Sequence, residues 1–147
     1  MVGCRGDQKM ARPTEAVIDA STAIKWISEE EGTEDSLRLR DEHIRGRTVL
    51  SSPDLIIYEM ANALRYKPDF NEVKVAQAIN SIIDLQIDLI NPGKELIQRS
   101  LQNAYAYDIT LYDSCYLSLA ELLGIKVITS DRKFYRKARS SQIIELI

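Results

Sequence analysis

The stretch Ala16-Val17-Ile18-Asp19-Ala20-Ser21-Thr22 decides how the rest of the chain is read. Three apolar residues are too few for a helix face, and they stop at an acid followed by hydroxyls. That pattern predicts a short buried strand, with Ser21 and Thr22 as caps for a helix through Ala23, Ile24, Trp26 and Ile27. The unit then recurs. Thr48-Val49-Leu50 reads as a second strand, with Ser52 as cap and Pro53 at the first helical position of a helix running to about Tyr66. Ile87 to Ile90 is a third strand, closed by Asn91-Pro92-Gly93, and helices over Lys94 to Tyr107 and about Leu111 to Leu123 follow. Lys126-Val127-Ile128-Thr129 is a fourth strand, a short basic helix begins at Arg132, and Ile143 to Leu146 is the last strand. Two further helices complete the set. One spans Glu34 to Arg45. The other is capped by Asn71, with Val73, Ala76, Ile79, Ile82 and Ile83 expected on its inner face, and Lys67-Pro68 separates it from its predecessor. Gly124 stands where a helix-ending glycine belongs. Short apolar strands alternating with helices predict an α/β fold: three layers, α/β/α, around a short, mainly parallel central sheet with right-handed crossovers.

Composition narrows the function classes. The 147 residues hold 19 Lys and Arg against 22 Asp and Glu, a net charge of −3, with 45% apolar and 28% charged residues. This is the profile of a globular domain. Residues 1–13, rich in Gly, Arg, Asp, Lys and Pro, are expected to be a flexible tail, and residues 14–147 a single domain. Cys4 and Cys115 make no disulfide framework, so a cytoplasmic setting is expected. No apolar run approaches the roughly 20 residues that cross a membrane. The mild acidity excludes a broadly basic nucleic-acid surface. It leaves open a nucleic-acid enzyme whose own site is acidic and takes a metal.

Four acids stand where an acid is costly. Asp19 ends the first strand and Asp131 ends the fourth, at the carboxyl ends where open α/β sheets bind ligands. Glu59 shares a helix face with Leu55 and Ala63, and Asp113 lies on the apolar face of Ile109, Tyr116, Leu117 and Ala120. Each has a plain alternative. Asp19 and Asp131 would cap the helices that follow them. Glu59 would pair with Arg65 or Lys67. Thr110 and Asp113 would form a capping box. Taken together, the four are expected to converge if the strands of Asp19 and Asp131 are neighbours. Converging carboxylates cannot all ionise without a cation. An oxygen-only donor set selects Mg²⁺ or Mn²⁺, and such a site suits phosphodiester hydrolysis.

The segments Val17-Ile18-Asp19-Ala20-Ser21, Tyr58-Glu59-Met60-Ala61-Asn62-Ala63-Leu64, Leu111-Tyr112-Asp113-Ser114-Cys115-Tyr116-Leu117-Ser118-Leu119-Ala120 and Val127-Ile128-Thr129-Ser130-Asp131 resemble the four signature blocks of PIN-domain ribonucleases, in that family's order. Within it they resemble the VapC-type toxins of toxin–antitoxin pairs. No single block is specific; the four in sequence are. The resemblance covers about Glu15 to the C-terminus and implies a PIN-like fold and a Mg²⁺- or Mn²⁺-dependent endoribonuclease. It further implies an RNA substrate, an antitoxin partner and a homodimer. It makes Asp19, Glu59, Asp113 and Asp131 the catalytic and metal-binding acids and puts the hydroxyls of Ser21 and Thr129 near the metal or substrate. Cys115 departs from the small residue usual at its position.

Beside Asp131, the cluster Arg132, Lys133, Arg136, Lys137 and Arg139 is a candidate contact for RNA phosphates, or simply a solvated helix end. Arg132 and Lys133 lie nearest the acid, and Lys25 and Arg65 are weaker candidates. Tyr58, Tyr112 and Tyr116 flank the acids and are read as core or dimer packing ahead of base stacking. The lone His43 is expected to be exposed. Rival readings fit less well. A receiver-like site wants a second acid beside Asp19, and a haloacid-dehalogenase-like site wants an Asp where Ser21 stands. The alternative from a different class is a non-catalytic PIN-like binding or scaffold module.

Overall fold

Strand β1 (Thr14–Ile18) is the middle of a five-stranded sheet, and the chain leaves it in two opposite directions. The structure, a computed structural model, describes residues 12–28 and 33–147. Almost all of the expected tail, with Cys4, lies outside the described residues, as does the acidic run Glu29-Glu30-Glu31.

In chain order, β1 is followed by α1 (Ala20–Ile24), α2 (Thr33–Ile44), β2 (Thr48–Pro53), α3 (Leu55–Arg65), α4 (Glu72–Asp84) and β3 (Asp88–Ile90). Then come α5 (Lys94–Tyr107), α6 (Leu111–Leu123), β4 (Lys126–Thr129), α7 (Arg132–Ala138), a single 3₁₀ turn at Arg139–Ser141 and β5 (Ile144–Leu146). The strand order is β3-β2-β1-β4-β5 and every pairing is parallel. The chain steps outward from β1 to β3, then returns to the other side of β1 for β4 and β5. Right-handed crossovers therefore put α1 to α4 on one face and α5 to α7 on the other. The helix contacts agree: α3 packs on α1 and α4, and α5 on α6. This is the expected three-layer α/β/α arrangement.

The register Val17↔Val127 and Ile18↔Ile128 sets β4 directly against β1. Val17, Ile18, Leu50 and Val127 are fully buried, and in β1 and β4 consecutive apolar residues, rather than alternating ones, face the two helical layers. Ile56, Met60 and Leu64, spaced four apart on α3, close the core from one side; Leu117 and Ala120 of α6 close it from the other. On α6 the seven residues Ser114 to Ala120 are all buried, because the helix lies between the sheet and α5. Its serines take part in that packing: Ser114 Oγ donates to Ser100 O at 2.5 Å, and Ser118 Oγ accepts from Asn103 Nδ2 at 2.9 Å.

Three local expectations are corrected. Ser52 and Pro53 do not start a helix. They extend β2, because Ser52 pairs opposite Leu89 and Pro53 opposite Ile90, and the Ser52 hydroxyl donates to Ile18 O at 2.9 Å. The helix begins after Asp54 instead. On α4 the inward stripe is Val75, Ala78, Ile79 and Ile82, while Val73, Ala76 and Ile83 are exposed. The helix packs on α3, and one such contact buries only one of its two apolar stripes. His43 is not exposed to solvent as a free side chain. Its Nδ1 accepts from the Leu50 N–H at 3.2 Å and its Nε2 donates to Leu85 O at 2.8 Å, which joins α2, β2 and the end of α4. Among the described residues no helix is long and apolar enough to cross a membrane.

Candidate functional site

The reversal of direction at β1 opens a crevice between the carboxyl ends of β1 and β4, the place where open parallel sheets bind ligands. Asp19 and Asp131 stand at those two ends.

Asp19 is 4% exposed and caps α1. Its Oδ1 accepts from the Thr22 N–H at 3.2 Å, the Thr22 hydroxyl at 3.2 Å and the Ser21 hydroxyl at 2.7 Å; its Oδ2 accepts from the Thr129 hydroxyl at 2.5 Å. The plain capping role and an unusual environment therefore coexist in one side chain. Burial raises its pKa to about 6, against the lowering effect of these hydrogen bonds, Thr129 first. Asp19, rather than Ser21 or Thr22, is the cap; those two turn their hydroxyls back onto it.

Thr129 joins the two strand ends. Its Oγ1 donates to Asp19 and accepts the Asp131 N–H at 3.0 Å. Ser21 Oγ does the parallel job, donating to Asp19 and accepting the Ser130 N–H at 2.9 Å. Asp131 caps α7, with Oδ1 accepting from Lys133 N at 3.0 Å and Phe134 N at 3.1 Å. Ser130 Oγ, between Thr129 and Asp131, is buried without a hydrogen-bond partner.

The other two acids arrive from opposite layers. Glu59, on α3, is half-buried, and its Oε1 accepts the Tyr116 hydroxyl at 2.5 Å. Asp113 lies in the first turn of α6, which Thr110 caps by accepting the Asp113 N–H at 3.0 Å. Half of the predicted capping box is thus present, and the acid also faces inward. Its pKa rises to about 7, first from burial and then from the charges of Asp131, Asp19 and Glu59. The other three sequence-predicted acids therefore all act electrostatically on Asp113. Tyr116 is fully buried, and burial together with Glu59, Asp19 and Asp113 pushes its ionisation far above the ordinary phenol range, so it remains a proton donor.

Asp113 and Asp131 line a cleft of about 260 Å³ with Thr110, Phe134, Lys133 and Lys137. Lys133, of the basic cluster, is exposed and lines the cleft beside the acids. Lys137 Nζ instead donates to Asp108 O at 2.8 Å and lies 3.3 Å from its Oδ2. Arg132 is exposed and does not line the cleft. Arg65 lies away from the acids. Its guanidinium is 5.0 Å from the centre of the Tyr66 ring, and it lines the groove between α3 and α4. Tyr58 and Tyr112 are exposed, not core, and border a small apolar hollow of about 230 Å³ backed by Leu96 and Cys115.

The donor set suits a hard divalent cation. It consists of carboxylate and hydroxyl oxygens, two of its acids hold raised proton affinity, and Ser130 Oγ lacks a partner. Among the described residues no three His, Cys, Asp or Glu side chains stand close enough to enclose an ion unaided.

Comparison with known proteins adds the family. The PIN domain family model matches residues 16–140, a span that holds all four acids. The chain belongs to the PIN domain family. Ribonuclease VapC3 of Pyrobaculum aerophilum is 27% identical to this PIN domain over 125 residues, which cover 82% of this chain and 92% of that protein. The crystal structure of PAE2754 from the same organism superposes with a TM-score of 0.65 at 20% identity, covering 84% of this chain and 79% of that one. A toxin–antitoxin complex from Klebsiella pneumoniae gives a TM-score of 0.61 at 18% identity, with 82% and 89% covered. At these identities the two structures share the PIN fold with this chain.

What sequence reasoning missed is the supporting cast. Thr22 and Tyr116 each place a hydroxyl on an acid of the site. A signal existed for both. Thr22 lies three residues after Asp19, where a cap's partner N–H belongs, and Tyr116 lies one helical turn after Asp113.

Proposed function

We propose that this PIN domain is a divalent-metal-dependent endoribonuclease and the toxin of a toxin–antitoxin pair. The observation that carries the reading is the meeting of Asp19, Glu59, Asp113 and Asp131, drawn from both helical layers and two strand ends, in one electrostatic cluster. The similarity to a protein named Ribonuclease VapC3 and to a toxin–antitoxin complex supports it.

On this reading acids of the quartet, together with waters and substrate phosphate, hold Mg²⁺ or Mn²⁺, which would supply an activated water and offset charge on the scissile phosphate. The chain's own residues do the rest. Thr129, Ser21 and Thr22 hold the Asp19 carboxylate in one orientation, so that both of its oxygens are fixed before a cation arrives. Lys133, exposed at the cleft, contacts RNA phosphate and draws the anionic strand toward the acids. Thr110 and Asp131 fix the N-termini of α6 and α7 on either side of the cleft.

The partners follow the same reading: an antitoxin protein, and a second copy of the chain that meets α3 and the exposed Val73 and Ile83 of α4. The deciding experiment is incubation of the full chain with a fluorogenic single-stranded RNA in Mg²⁺, in Mn²⁺ and in excess EDTA, beside Asp113→Asn. Cleavage that needs the ion and disappears in the variant is the expected result. Undiminished cleavage in EDTA, or in Asp113→Asn, would overturn the assignment.

A further inference from the structure

We infer that Tyr116 is a positioning residue for Glu59: its buried hydroxyl holds Oε1 so that Oε2 is presented to the cation. This rests on the metal-dependent reading above and names a residue that the reading does not require.

The argument begins with reach. A glutamate has three rotatable bonds before its carboxylate, and a half-buried one without a partner would sample several rotamers. Each of the other acids has a local bond: Asp19 and Asp131 accept from residues two and three positions on, Asp19 from Thr129 as well, and Thr110 fixes the Asp113 backbone. Among the described residues Glu59 has no such neighbour in sequence. Its restraint comes from a residue 57 positions away on the opposite helical layer, at 2.5 Å. The donor is rigid. Tyr116 is 1% exposed and lies within the fully buried run of α6, so its ring has nowhere to swing.

Packing alone does not account for the hydroxyl. A Phe ring would fill the same space, and a buried phenol needs a partner that an all-apolar core would not supply. The pair also spans the sheet. α6 carries Asp113 and, one turn on, Tyr116; α3 carries Glu59. One hydrogen bond therefore sets the placement of the Glu59 carboxylate relative to Asp113, which already responds to its charge. Outer partners of this kind change metal affinity by about 10- to 100-fold when removed.

The test is Mn²⁺ binding to the full chain, measured by calorimetry at one pH for wild type, Tyr116→Phe, Glu59→Gln and the double variant, with thermal melts alongside. Glu59→Asp is included because it breaks the same bond while leaving the tyrosine in place. Tyr116→Phe and Glu59→Asp are expected to weaken Mn²⁺ at least tenfold, with the double variant no weaker than Glu59→Gln alone. Unchanged Mn²⁺ affinity in Tyr116→Phe, with Glu59→Gln impaired, would overturn the inference while leaving the metal reading intact. So would a further loss in the double variant, since Tyr116 would then act by another route. Unchanged affinity in Glu59→Gln would instead remove Glu59 from the metal site, and the inference with it.

Discussion

Thr129 donates its hydroxyl to Asp19 Oδ2 at 2.5 Å, across the boundary where the chain reverses its direction through the sheet. The Thr129 hydroxyl oxygen in turn accepts the Asp131 N–H at 3.0 Å. One threonine thus couples the two strand-end acids, and it can do so only because β1 and β4 are hydrogen-bonded neighbours.

Replacing that hydroxyl tests the coupling. Thr129→Val keeps the β-branched shape in the strand but removes the donor that most lowers the Asp19 pKa. Hydrogen bonds to charged groups contribute about 1.5–3 kcal/mol. The expected outcome is at least a tenfold loss of RNA cleavage at pH 7, with the acidic limb of the rate–pH profile displaced upward. A uniform loss of rate with an unmoved profile would show that Thr129 does not act through Asp19.

Stability of the metal-free protein should fall as pH rises. Asp19 and Asp113 have native pKa values of about 6 and about 7 against an ordinary 3.8. Between those limits the folded chain retains protons that the unfolded chain has released. The destabilisation is therefore absent below about pH 4 and complete above about pH 7. For the fully buried Asp19 it amounts to about 3 kcal/mol at neutral pH, at 1.36 kcal/mol per unit. Thermal melts at pH 5 and pH 8 should show the higher Tm at pH 5. Asp19→Asn should raise the pH 8 Tm and narrow the gap, while abolishing cleavage. An equal gap in wild type and variant would contradict the assignment of the raised affinity to Asp19.

His43 separates stability from activity. Its two ring nitrogens serve the Leu50 N–H and the Leu85 carbonyl, so the neutral ring carries its proton on Nε2. His43→Ala leaves a buried strand N–H without its partner, at a cost of about 1–3 kcal/mol. Urea unfolding should register that loss as a lower midpoint, with the RNA cleavage rate of the folded protein unchanged. A selective loss of cleavage with the midpoint intact would put His43 in the chemistry instead.

The sequence by itself determined the order and type of the elements. A buried strand and an amphipathic helix differ in local period, and three caps, Asn71, Thr110 and Gly124, are local chemistry that the structure repeats. It also singled out the four acids, because each interrupts an apolar pattern that is legible within a few residues. Only the tertiary structure decided what those local signals are for. Ser52 has the composition of a cap, yet β3 recruits it into β2. Either stripe of α4 was apolar enough to be the inner one, and the position of α3 chose between them. His43 and Tyr116 looked like surface and packing residues because their partners, Leu85 and Glu59, lie 42 and 57 positions away. The meeting of Asp19 with Asp131 depended on strand order. Periodicity records which way a side chain faces along its own element, whereas strand order and helix docking decide which element it meets.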